Sequence, residues 1–362
     1  MTRVNRVNSM NRIFIVSCIA VLLTALLVSG AAGAAGDGTG PAEAAAAEWT
    51  PITITDYAGN QITIPEKPDK IISLSPTCTE IIYAVGAGDR VVGNTTYCNY
   101  PEEAKSVEKI GGFSTISTER IITLCEGNSV VFANPNNGRD SIDYLKKQGC
   151  TVIIVDVRSV DDIYKAVDTI GTAVGCKENA DTVNARVKSS IEEISAKVKE
   201  ASGETPAVMH VMSTDPYYIS GKNTFQDELI TLAGGVNAFK DIEGWGAVTL
   251  ERILVSDPDI ILTDPGADMG NPGFDSLADS FKTEPRLSTL SAVKNDKVFV
   301  MDADIFDRGG PRVVEALETL VKIIHPEIFG EAARTTAAQT PGFAVIPVLG
   351  ALLGAALLLR RR

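Results

Sequence analysis

Apolar residues recur at Ala180, Val183, Val187, Ile191, Ile194 and Val198, three or four positions apart, while Lys188, Glu192, Glu193, Lys197, Lys199 and Glu200 fall on the opposite face. No glycine or proline interrupts 177–202. That spacing predicts one amphipathic helix about 36 Å long at ~1.5 Å per residue. Gly203 and Pro206 end it. On the N-terminal side, short β-branched runs at 70–76, 91–93, 129–133 and 151–155 alternate with helical patterns at 79–85, 119–125 and 140–148. The alternation restarts after the long helix, with strands at 207–212, 259–262 and 297–301 and helices at 225–233, 251–255 and 312–324. ITITDYAGNQITIP, ahead of all this, is a hairpin signal. The expected fold class is α/β: two similar lobes with parallel sheets, bridged by one long helix, with a ligand cleft between them. The lobes are placed at 50–175 and 204–330 and the bridging helix at 176–203.

The two ends follow a different pattern. Residues 13–28 are uncharged, follow Arg3, Arg6 and Arg12, and lead into SGAAGAAG. This is the layout of a secretory signal over 1–33, followed by a small-residue linker at 34–49. At the other end a tether at 331–341 precedes a segment at 342–362, whose uncharged span from Gly342 to Leu359 is closed by three arginines. Such a span just reaches across a bilayer, and its arginines favour the cytoplasmic side. The expectation is a secreted, membrane-anchored protein on the extracellular face of the cytoplasmic membrane.

Charge narrows the choice of partner. The formal charge is −13, and the two end segments contain six arginines and no acid, so the body between them stands at −19. Such a surface excludes nucleic acid held by phosphate neutralisation. Beyond Cys18 in the signal, Cys78, Cys98, Cys125, Cys150 and Cys176 have neither CxxC spacing nor an even count. They indicate no zinc site, and they leave any disulfide pairing open.

Catalytic chemistry is sparse. His210, inside an apolar strand, reads as a core residue, and His325, before Pro326, as a helix-end residue. No Gly-x-Ser-x-Gly elbow, His-Glu-x-x-His motif or Ser/His/Asp arrangement is present. Ser220-Gly221-Lys222 lacks the earlier glycine and the Ser/Thr of a phosphate loop. The chain is not expected to be an enzyme, and without a cluster of His and Asp ligands a metal-dependent hydrolase is the weaker reading.

Binding is better supported. Loops expected at strand ends bear Tyr97, Tyr100, Phe113, Tyr217, Tyr218, Trp245 and Phe306, flat rings suited to a large, partly apolar ligand. Asp304 and Arg308 flank Phe306, either as polar ligand contacts or as an ion pair between loops. An internal repeat is also visible: STERII at 117–122 resembles TLERIL at 249–254, each followed by a β-branched strand. Glu119 and Glu251 therefore stand at matching positions, as helix-start acids or as one acidic knob per lobe.

Together these residues resemble the periplasmic-binding-protein family that serves vitamin B12, haem and ferric-siderophore ABC importers, above all its cobalamin-binding members. The resemblance covers about residues 50–328. It is carried by IISLSPTCTE at 71–80, the Tyr97–Pro101 loop, Ser117–Ile121, Ser220-Gly221-Lys222, Trp245, Thr249–Ile253 and RGGPR at 308–312. It implies two α/β lobes joined by a stiff helix and no resident cofactor, the ligand being a corrinoid or, alternatively, an iron chelate or haem. Ligand contacts would fall on Tyr97, Phe113, Asn134, Tyr217 or Tyr218, Trp245, Asp304, Phe306 and Arg308. Phe113 and Asn134 stand where cobalamin-binding members have Trp. Glu119 and Glu251 would dock onto arginines of a homodimeric ABC permease with its cytoplasmic ATPase. Thr340-Pro341-Gly342-Phe343 with its apolar span and terminal arginines is similar to the archaeal Pro-Gly-Phe sorting signal. That implies removal of the span by an archaeosortase and its replacement by lipid.

Overall fold

The computed structural model describes residues 49–265 and 276–329, apart from positions 202 and 204. The expected signal, nearly all of the linker, the tether and the C-terminal segment lie outside the described residues. Among the described residues no helix is long and apolar enough to cross a membrane.

The chain enters through an antiparallel hairpin of β1 (Ile52–Thr55) and β2 (Gln61–Ile64). The buried Asp56 closes its turn by accepting from the backbone N–H groups of Ala58 and Asn60. Next come β3 (Lys70–Ser73), α1 (Pro76–Ala84), β4 (Val91–Asn94), α2 (Thr118–Leu124), β5 (Ser129–Ala133), α3 (Arg139–Lys147), β6 (Val152–Ile154) and α4 (Val160–Ala173). The four strands β4-β3-β5-β6 form an all-parallel sheet. Helix α1 starts where it does because Ser75 accepts from the Cys78 N–H and Pro76, with no N–H of its own to lose, takes the first turn. The sequence reading assigns no element to 156–175. Helix α4 fills that gap, capped by Ser159 and burying Val160, Ile163, Val167 and Ile170 at helical spacing.

Helix α5 (Lys177–Glu200) buries Ala180, Val183, Val187, Ile191 and Ile194, the face expected from the spacing. One end crosses α4 closely. A Cβ placed on Gly171 would lie 2.3 Å from the Ala180 Cβ, so glycine sets the approach distance.

The second lobe contains β7 (Ala207–Thr214), β8 (Tyr217–Ser220), α6 (Phe225–Leu232), β9 (Val236–Asn237), β10 (Trp245–Val248), α7 (Leu250–Ser256) and β11 (Ile260–Thr263). It continues with α8 (Ser276–Thr283), α9 (Ser291–Lys294), β12 (Val298–Val300), α10 (Ala303–Phe306), α11 (Val313–Ile324) and α12 (Pro326–Phe329). Its sheet runs β10-β8-β7-β11-β12, with β9 beside β7. Strands β7, β9, β11 and β12 are parallel, whereas β8 and β10 add an antiparallel edge. The far half of α5 packs on α11.

One apolar core runs from Ile71 and Ile81 in the first lobe through Val187 and Ile191 of α5 to Leu317 and Leu320 of α11. Each side chain fully withdrawn from water there contributes about 1.5–3 kcal/mol. Rocking one lobe on the other about α5 would have to open that shared core.

Candidate functional site

In an open parallel sheet the ligand crevice lies beyond the carboxyl ends of the strands. The segments leaving β3, β4 and β12 there meet one another across the lobes. Glu80 on α1 is 4 % exposed and receives two hydrogen bonds from Arg312, from Nε at 2.9 Å and from Nη2 at 2.6 Å. Arg308 Nη1 is 3.7 Å from the same carboxylate, and Nη2 of that guanidinium lies 2.5 Å from Asp304 Oδ1. Asn99, in the loop after β4, accepts from Arg308 Nη1 at 2.6 Å and donates to Asp304 Oδ2 at 2.6 Å. Arg312 also donates to the Asp304 carbonyl at 2.9 Å, and its guanidinium stands 4.0 Å from the Tyr100 ring centre. Two carboxylates and two guanidiniums thus neutralise each other in a latch between the lobes. Burial raises the Glu80 carboxyl above its ordinary value, although both arginines pull it the other way.

Aromatic rings flank the latch on both sides. In the first lobe Tyr97 and Tyr100 are 47 % and 45 % exposed, and a side chain on Gly112 would touch the Tyr97 ring. The buried Asn137 holds the neighbouring Phe113 loop by donating to the Phe113 carbonyl at 2.7 Å and the Leu74 carbonyl at 2.9 Å. In the second lobe Trp245 and Tyr218 stack with centroids 5.9 Å apart and planes 10° from parallel. The antiparallel register opposes Trp245 to Ser220 and Ala247 to Tyr218, which makes the two rings diagonal neighbours on one face. Ser220-Gly221-Lys222 sets that register. Gly221 donates to the Gly244 carbonyl and Lys222 to the Ile242 carbonyl, and a Cβ on Gly221 would lie 2.2 Å from the Ile242 oxygen. The motif that superficially suggests a phosphate loop is a clamp that positions Trp245.

Several expected positions are corrected. Tyr218 and Trp245 lie on strands rather than in loops. Tyr217 points to the opposite face, where its ring meets the buried Phe281 edge-on at 5.9 Å, because adjacent strand residues alternate faces. Phe306 is completely buried and has no cleft surface. Asn134 caps a short turn, accepting from the Asn136 N–H and donating to the Val155 carbonyl. Asp304 and Arg308 are brought together, as the latch pair just described. The sequence also shows no cluster of His and Asp ligands, yet folding assembles one from His210, Asp264 and Asp307. Glu119 and Glu251 are both exposed in the first turns of α2 and α7. The Glu251 carboxyl is held below its ordinary value by its own backbone N–H and by Thr249.

Glu80, Asn99 and Asn137, which hold the latch and the Phe113 loop in place, are positions that the sequence reading did not single out. Glu80 did leave a signal, as the one acid in an otherwise uncharged helix, PTCTEIIYA. A cavity of about 890 Å³ also opens between the lobes, lined by Glu80, Tyr100 and Arg312 of the latch and by Arg186 and Ser190 of α5. Tyr97, Phe113, Tyr218 and Trp245 do not line it. It lies on the α5 flank of the latch and takes Tyr100 from the aromatic set.

Residues 71–305 match the family model described as periplasmic binding protein. An uncharacterised ABC transporter substrate-binding lipoprotein of Bacillus subtilis, YvrC, is 36 % identical over 318 residues, covering 86 % of this chain and 97 % of the relative. The crystal structure of the periplasmic vitamin B12 binding protein of Vibrio cholerae superposes with a TM-score of 0.62 at 26 % identity, covering 71 % and 97 % of the two chains. The apo periplasmic heme-binding protein RhuT of Roseiflexus sp. RS-1 superposes with a TM-score of 0.63 at 24 % identity, covering 72 % and 99 %. At that identity the likeness is one of fold alone.

Proposed function

Because the chain belongs to the periplasmic binding protein family, and with it to the substrate-binding components of ABC transporters, we propose that the cargo it captures is a corrinoid, cobalamin or cobinamide. One observation carries this reading. Arg308 and Arg312, two cations where the lobes meet, are already paired with Asp304 and Glu80. A ferric chelate with several carboxylates, or a haem with two propionates, would have to break those pairs to be neutralised. A bulky ligand of low net charge can instead lie against ring faces, and Tyr97, Tyr100, Tyr218 and Trp245 supply them. Phe113 and the polar edges of Asp304 and Arg308 complete the set. The vitamin B12-binding relative at 28 % identity over 255 residues supports the same cargo.

Delivery follows from the repeat. Glu119 and Glu251 each project from the first turn of a helix that follows the same sequence pattern in its own lobe, and a two-fold permease with a basic pocket on each subunit would engage both. The N-terminal signal places the protein outside the membrane. The C-terminal span with Pro341-Gly342-Phe343 holds it there, intact or exchanged for lipid by an archaeosortase.

Titration calorimetry of the purified chain with cyanocobalamin, cobinamide, haemin and a ferric hydroxamate tests the cargo. Submicromolar one-to-one binding of a corrinoid is expected. Binding of haemin or the iron chelate alone would replace the cargo while keeping the fold and the family.

A further inference from the structure

We propose that His210, Asp264 and Asp307 form a binding site for one divalent first-row transition-metal ion beneath Trp245 in the second lobe. The three residues come from three separate segments. His210 lies in β7, Asp264 immediately after β11, and Asp307 immediately after α10. His210 pairs with Leu262 in the parallel ladder, so Asp264, two residues further on, returns to the same face of the sheet. One donor atom from each of the three lies within 4.8 Å of the others.

The local chemistry fits an ion. His210 is wholly buried and Asp264 is 1 % exposed. His210 Nε2 is 3.2 Å from Asp264 Oδ1, while two ligands each ~2.1 Å from a tetrahedral ion stand about 3.4 Å apart. The other ring nitrogen, Nδ1, faces Ser220 Oγ at 3.2 Å. Donation from Nδ1 to that hydroxyl leaves the Nε2 lone pair aimed at the carboxylates, the arrangement that orients metal-bound imidazoles. Gln226 Nε2 donates to Asp307 Oδ1 at 2.9 Å and so fixes the third ligand. The other oxygen of each acid calls for a cation or for a proton shared between the two carboxyls. Asp264 Oδ2 and Asp307 Oδ2 are both buried and have no hydrogen-bond partner. Leaving two such oxygens unsatisfied side by side is costly, and one cation would satisfy both.

The donor set selects the ion. One imidazole and two carboxylates suit Zn²⁺, Mn²⁺ or Fe²⁺, whereas Ca²⁺ takes six to eight oxygens and Cu⁺ prefers sulfur. Two rings close the site from the apolar side, with Trp245 edge-on to His210 at 5.7 Å and Phe306 at 5.1 Å. Asp307 is the least buried of the three residues. The ion would tie β7, β11 and the segment that continues into Asp304, Arg308 and Arg312, and thereby set the second lobe's wall of the cleft. Protons compete for the same atoms. Burial lowers the His210 affinity for a proton, but the Asp264 carboxylate outweighs it and raises the imidazole pKa. Burial and the charge of Asp264 push the Asp307 carboxyl upward as well.

The test uses the full chain carrying Trp49→Phe, which leaves Trp245 as the only indole, after chelator treatment and without any organic ligand. Titration with Co²⁺ alone should saturate at one ion per chain, give d–d absorption, and quench Trp245 as the ion arrives beside His210. Zn²⁺ should displace it. Asp307→Asn keeps side-chain size and His210→Gln keeps a polar group, and each should weaken binding at least about tenfold while circular dichroism checks that the variant is folded. The titration of the His210-containing chain stands without either variant. Absence of stoichiometric binding, or binding that survives both substitutions or leaves Trp245 unquenched, overturns the site. The cluster is then a carboxyl pair sharing a proton beside His210.

Discussion

Replacing Glu80 by alanine tests whether the latch holds the lobes. The carboxylate is 4 % exposed and accepts both bonds of a bidentate guanidinium pair. Its loss leaves Arg312, 14 % exposed on its side chain, with only the Asp304 carbonyl and the Tyr100 ring face. Arg308 keeps Asp304 and Asn99 as partners, so one cation rather than two is stranded. Breaking a buried pair from one side costs ~3–5 kcal/mol, and the residual partners of Arg312 put the expected loss at the lower end, about 3 kcal/mol. At ~1.4 kcal/mol per decade that lowers the folding constant by about two orders of magnitude. Urea unfolding followed through the two tryptophans, Trp49 and Trp245, reads the change as a lower midpoint at unchanged slope. The double variant Glu80→Met with Arg312→Leu removes both charges and restores apolar volume. It should recover at least about 2 kcal/mol of the sum of the single losses. A loss below about 1 kcal/mol for Glu80→Ala, or additive single and double effects, would refute the reasoning.

Three other outcomes are expected. Trp245→Ala should weaken cargo binding by ~1–3 kcal/mol in calorimetry, whereas unchanged affinity would place the ring outside the ligand surface. Glu119→Arg combined with Glu251→Arg should leave affinity intact and abolish uptake by cells; loss of affinity would put these acids in the cleft. Gly171→Leu should force α4 and α5 apart at their crossing and lower stability by roughly 1–3 kcal/mol, measured as the shift in urea midpoint. A variant as stable as the parent would show that this contact is not tight.

The candidate site was only partly legible in the chain. Tyr97, Tyr218 and Trp245 could be nominated because large rings in short polar contexts are few. The choice between Tyr217 and Tyr218, both nominated, could not be made, because they are adjacent letters that strand alternation sends to opposite faces. Phe306 likewise sits between Asp304 and Arg308 in sequence, but the short α10 turns its ring into the core while those two turn toward Asn99. The latch was invisible for a different reason. Glu80 and Arg312 are separated by 232 positions, and no local pattern relates them until both lobes have folded onto α5.

What the sequence determined by itself was the set of periodic features. The single-faced apolar stripe of α5 and the alternating strands and helices on both sides of it depend on spacing within about a dozen residues, and the paired Glu119 and Glu251 on a short motif that recurs. Helix and strand periods record that spacing directly. Only the tertiary structure decided which charges cancel, which rings remain open to a ligand, and that His210, Asp264 and Asp307 meet. Those facts depend on the parallel register of β7 with β11 and on the approach of two lobes across a shared core. Contacts of that kind are set by packing over distances that no local period encodes.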